Sequence, residues 1–110
     1  MKIKKISKLK EISYLIKKKI IEISFKKKAH HIGSCLSCTD IIVSLFFNIM
    51  KFSKKNKKKN DFFILSKGHA ALVYYLALMK KNFFSEKYLY KNFLENNGSL
   101  GGHPDKNINL

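Results

Sequence analysis

Apolar residues recur through the first quarter of the chain at helical spacing. Ile6, Leu9, Ile12, Ile16, Ile20 and Ile23 follow one another at three- and four-residue steps, which predicts an amphipathic helix from about Ile3 to Lys27. Lys8, Lys10, Lys17 and Lys18 fall on its opposite face and read as a solvated side. Ser37-Cys38-Thr39-Asp40 has the pattern of a capping box, so a second helix is expected from roughly Cys38 to Lys51. That helix is apolar nearly all round, with Ile41, Ile42, Val43, Leu45, Phe46, Phe47, Ile49 and Met50, and so needs enclosure on several sides. A lysine-rich loop follows, then a strand over Phe62 to Leu65. A helix from about Ala70 to Lys81 and another from about Glu86 to Glu95, capped by Ser85, complete the expected elements. Asn96 to Pro104 reads as a Gly-rich loop, and the tail beyond it as neither helix nor strand.

This inventory is physically incomplete. A lone strand has no neighbour for its backbone donors and acceptors, and a one-strand sheet does not exist. The second helix likewise asks for more cover than the other elements provide. The pattern reads as part of a larger α/β domain, while the length admits one small domain at most.

Composition changes how the charge is read. All 23 basic residues are Lys, and the net charge is +16. Ile, Phe and Asn are abundant while Val, Ala and Pro are scarce, the bias an AT-rich genome imposes through its codons. Without Arg there is no bidentate donor for guanine or phosphate. The lysines are scattered along helices and gathered in one loop, Lys54-Lys55-Asn56-Lys57-Lys58-Lys59. Incidental attraction to polyanions at low salt is expected, and specific nucleic-acid recognition is not. The stretch Ile41 to Met50 is too short to span a bilayer, and no secretory signal is visible. A soluble, cytoplasmic protein without a membrane partner is the expectation.

The chemistry concentrates at Phe62-Phe63-Ile64-Leu65-Ser66-Lys67-Gly68-His69-Ala70-Ala71. A short apolar run there breaks into a polar turn, and helix formers follow at once. In α/β proteins such a junction lies at the carboxyl end of a strand, where ligands bind. Unpaired amides at the next helix start face any anion docked there. Gly68 permits close backbone approach, and Lys67 and His69 add charge and a titratable donor. The arrangement suits a phosphate-bearing ligand.

The same residues resemble a family signature. Leu65-Ser66-Lys67-Gly68-His69-Ala70 is similar to the "LS(K/N)GH" segment of transketolases, which use thiamine diphosphate. Ala29-His30-His31-Ile32-Gly33-Ser34-Cys35-Leu36-Ser37 resembles the family's "SGH(P/I)GGSLS" loop, and Gly101-Gly102-His103-Pro104 its "GHP" loop. Three collinear matches are specific where one would not be, and they span nearly all of the chain beyond its first helix. Ile32, where full-length transketolases tend to have Pro, is typical of the split enzymes. Deoxyxylulose phosphate synthases, with "DVGHQ" in place of Ser66-Lys67-Gly68-His69-Ala70, match less well.

The resemblance implies that residues 1–110 are the amino-terminal part of the diphosphate-binding domain. That domain is a three-layer parallel-sheet fold, of which this segment would be a partial and mostly helical piece. It implies ketol transfer: a two-carbon unit passes from a ketose phosphate to an aldose phosphate, as in the pentose phosphate pathway. His69, with Gly68 and Lys67, would hold the cofactor diphosphate, and Lys67 reads equally as a solvated neighbour. His31 and His103 would contact the sugar at its reactive carbon. Imidazoles suit a reaction that moves protons on and off hydroxyls near neutral pH. The divalent ion, Mg2+ or Ca2+, would take its ligands from outside this chain, so no metal ligand is assigned within it. The implied partners are a pyrimidine-binding half and a second copy, giving a homodimer or heterotetramer. His30 and Ser34 stand where the family has Gly, which bears on the backbone of the first loop.

Three other readings remain beside this one. Cys35-Leu36-Ser37-Cys38 has the spacing of redox and zinc motifs, yet it lacks a second ligand pair at zinc-finger spacing and a preceding strand. Two reduced, buried thiols are expected instead. An inactive remnant of a transketolase gene would carry the same partial motif set. A small basic polyanion-binding protein would show binding that collapses with salt.

Overall fold

A computed structural model describes residues 3–52 and 55–104. Helix α1 runs Ile3–Lys27, α2 Ile32–Ser44, α3 Ala71–Lys80 and α4 Glu86–Asn92. A π-helical turn, Leu45–Ile49, continues α2, and a 3-10 turn, Gly68–Ala70, leads into α3. The described segment is therefore mostly helical. Among the described residues there is no strand, and Phe93 and Leu100 form an isolated bridge.

The helical period of α1 survives intact: Ile16, Ile20 and Ile23 are fully buried, each stabilising the fold by roughly 1.5–3 kcal/mol. They meet Ile42, Val43 and Phe46 of α2 and its extension, and Val73, Tyr75 and Leu76 of α3, in one core. Lys17, partly exposed on the solvated side, also reaches across with its ammonium to Asp40 on α2 at 3.1 Å. Ser13, buried in the same seam, donates its hydroxyl to that carboxylate.

Two expectations are corrected. Helix α2 starts at Ile32, well before Cys38, so Ser37–Asp40 is helix interior and not a capping box. The Ser37 hydroxyl donates to the Ser34 carbonyl at 3.1 Å and Thr39 to Cys35 at 2.7 Å, so the hydroxyls bond back within the helix. Asp40 is taken by α1. The second correction concerns Phe62–Leu65, which forms no strand, because no neighbouring strand among the described residues offers it a ladder. Its alternation nonetheless persists: Phe62 and Ile64 are 97% and 87% exposed, while Phe63 and Leu65 turn toward the core. The sheet of the expected α/β fold is thus not built by these residues.

Smaller differences follow from local geometry. Helix α4 ends at Asn92 instead of Glu95, because Phe93 turns extended and Leu94 takes φ 56° to bond Leu100. With α2 begun early and the π turn added, Ile32–Ile49 becomes an 18-residue helical run of mean hydropathy 1.7. By length and composition that run is apolar enough to cross a membrane, whereas the sequence expectation weighed only Ile41–Met50. Its inner face packs on α1 and α3, and Ile41 and Ile49 stay exposed. The expected structureless tail from residue 105 onward, and Lys54, lie outside the described residues.

Candidate functional site

Three separate turns converge where α2 and α3 begin. His31 precedes α2 in the left-handed conformation, φ 68° and ψ 31°, a backbone that His tolerates better than most side chains. The first loop therefore makes its sharp turn at His31 itself, without a glycine at that position. Among the described residues no glycine has positive φ. His69 sits in the 3-10 turn ahead of α3, and His103 lies on the loop after the Phe93–Leu100 bridge.

Their rings form a short file. His31 stacks on His69 with centroids 4.2 Å apart, and His69 meets His103 at 4.9 Å. His30 approaches His31 edge-on at 6.2 Å. The imidazoles line a cavity of about 130 Å3 whose apolar wall includes Cys35, Leu72 and Phe93. Two larger grooves, of about 420 and 480 Å3, flank α1 and contain no histidine.

Gly68 is spatially required at this point. A Cβ built there would stand 2.8 Å from His103 Cδ2, so the His103 ring occupies the space a side chain would need. Lys67 behaves differently: its ammonium donates to the Ser37 hydroxyl at 2.7 Å and does not line the cavity. The structure thus brings His31, His69, His103 and Gly68 together and turns Lys67 toward α2.

Electrostatics favour a neutral first imidazole. Desolvation, and then the neighbouring His69, His30 and His103 rings, hold His31 below its ordinary value. A neutral ring offers one donor and one acceptor nitrogen to a hydroxyl. Among the described residues, no three His, Cys, Asp or Glu side chains converge to hold a metal ion. The two thiols are free, and burial pushes both up, which makes them poor nucleophiles.

Two residues at the site carried no functional signal in the sequence. His30 read as a departure from a glycine position, yet it lines the cavity. Nothing in the sequence singled out Tyr75 of α3, yet its buried hydroxyl donates to the carbonyls of Gly101 and His103 at 2.7 and 3.2 Å.

Comparison with known proteins points to one family. The family described as transketolase, thiamine diphosphate binding domain, matches residues 10–109. One of the subunits of the apulose-4-phosphate transketolase of Phocaeicola vulgatus is 38% identical over 90 residues, 80% of this chain and 32% of that protein. Its namesake from Actinobacillus succinogenes is 32% identical over 94 residues, 83% of this chain and 34% of that protein. Transketolase of Homo sapiens is 31% identical over 102 residues, 91% of this chain and 16% of that protein. The chain spans about a third of the length of the two bacterial relatives and about a sixth of the human one.

Proposed function

The chain belongs to the transketolase family through its thiamine diphosphate-binding domain, and from that premise we propose that it supplies the amino-terminal wall of a ketol-transfer site. The observation that carries this reading is the convergence of His31, His69 and His103, from three turns far apart in sequence, around Gly68.

The fit to thiamine diphosphate is partial. A cavity of about 130 Å3 is well below the 300–1,000 Å3 usual for ligand pockets, so these residues fit one end of such a ligand. His69 and Gly68, at the mouth of α3, would hold an anionic group against the helix start. The cofactor, when bound, would supply the carbanion-stabilising chemistry. His31 and His103 would orient sugar hydroxyls and exchange protons with them, His31 as a neutral acceptor. Lys67 would contribute only by leaving Ser37. The ligands of a divalent ion would come from elsewhere.

The wider reading follows the same line. Phe62–Leu65 would become a strand of a parallel sheet once neighbouring strands lie against it. The similarity to the two bacterial apulose-4-phosphate transketolase subunits supports assembly with a further polypeptide. That polypeptide would bring the pyrimidine-binding half, in a homodimer or heterotetramer acting on sugar phosphates. Two free thiols suit a cytoplasmic setting.

Reconstitution tests the proposal. The chain is combined with the remainder of a split diphosphate-binding domain and the pyrimidine-binding half, with thiamine diphosphate and Mg2+ or Ca2+. Ketol transfer between sugar phosphates is expected only in the complete mixture, and it should fall when His69, His31 or His103 is replaced by Ala. A complete mixture without transfer would count against the reading.

A further inference from the structure

The loop that carries His103 is tied in two places by different means. Up to Leu100 the ties are to α4 and its end: Leu94 N–H donates to the Leu100 carbonyl at 3.0 Å, and Ser99 N–H to Asn92 Oδ1 at 3.2 Å. The Tyr88 and Ser99 hydroxyls also meet. All of these stop short of His103. The next residues are reached from the core instead, by the hydroxyl of Tyr75 on α3. Its single proton is shared between the Gly101 and His103 carbonyls, which bracket Gly102.

The ring beneath that hydroxyl cannot swing. Tyr75 is fully buried and packs edge-on against Phe93 at 5.9 Å. Helix α3 follows directly from the turn bearing His69, so Tyr75 connects the His69 and His103 turns through one rigid element. His103 is held from two sides, by its backbone carbonyl on Tyr75 and by its ring against Gly68 and His69.

We propose that Tyr75 is a positioning residue whose buried hydroxyl sets the His103 loop against His69. Its worth for catalysis rests on the function proposed above; the positioning itself does not.

Tyr75→Phe keeps the ring and removes the hydroxyl, and Tyr88→Phe serves as the loop control. Nuclear magnetic resonance of the chain without any ligand gives the readout. In Tyr75→Phe the His69–His103 ring contact should weaken, the docked loop losing roughly 3- to 10-fold in population against the undocked one. Protection in α1 and α3 should stay as in the parent. Tyr88→Phe should leave the His69–His103 contact in place. An unchanged contact in Tyr75→Phe would overturn the assignment. So would equal loss in both variants, or a general loss of α1 and α3 protection that marks Tyr75 as core support alone. A parallel titration with inorganic diphosphate separates the two readings. Absence of binding by the parent chain speaks against the cofactor site, while the ring contact still decides the role of Tyr75.

Discussion

Replacing Gly68 by Ala probes whether the imidazole file is a built arrangement. The backbone accepts the change, because no described glycine has positive φ. The new Cβ would stand 2.8 Å from His103 Cδ2 and 3.7 Å from Cγ. To regain ordinary carbon–carbon separation the ring must retreat by about 0.6 Å or more. What blocks the methyl is the end of a side chain on a loop, so the conflict is resolved by moving His103 and not by breaking the core. A rotamer pushed off its well costs about 0.5–1.5 kcal/mol. Against this, the unfolded chain loses freedom on Gly→Ala, which returns about 0.4–1 kcal/mol. The two nearly cancel, so the thermal midpoint should move by less than about 5 °C. The site should respond far more strongly. Ring signals of His103 and His69 should shift in nuclear magnetic resonance spectra, and ketol transfer in the reconstituted assembly should fall by roughly tenfold or more. A variant with unmoved His103 signals, or one with a collapsed midpoint, would refute the reasoning.

Other perturbations separate the forces in the same region. In Gly98→Ala the methyl would lie 2.2 Å from the Asn92 carbonyl oxygen, which is backbone and cannot swing away. The Phe93–Leu100 turn must open, and the urea midpoint should fall by the equivalent of about 1–3 kcal/mol, whereas an unchanged midpoint would contradict the close packing. For His31, the folded value is lowered from 6.5, so the unfolded chain binds the proton more readily. Stability is therefore complete above about pH 6.5 and declines as pH falls from there toward the lowered folded value. Urea titrations at several pH values should show this slope, and His31→Ala should flatten it. Burial pushes Cys35 and Cys38 up, so iodoacetamide should label the folded chain at neutral pH more slowly than the unfolded one. Cys35, 2% exposed, should be the slower of the two, as mass spectrometry of the labelled peptides would show.

What could be read in advance, and what could not, depends on where each residue finds its partner. The period of α1 was legible because Ile16, Ile20 and Ile23 bury through spacing alone. The start of α2 was not, because Asp40 is satisfied by Ser13, 27 residues away, and a carboxylate with a distant partner looks like a cap. The three histidine turns were legible as words, but their stacking was not. It depends on the space at Gly68 and on the Tyr75 hydroxyl, neither of which has a distinctive spacing. Phe62–Leu65 is the instructive failure. Its period of two is real, since Phe63 and Leu65 face the core while Phe62 and Ile64 face outward almost fully exposed. A strand needs a ladder as well as a pattern, and the described residues supply none. Ile41 and Ile49 on the outer side of the α2 run pose the same demand. Outward apolar residues with a preserved period are what a sequence shaped for neighbours on both faces would carry, and they are the surface that the assembly proposed above would have to cover.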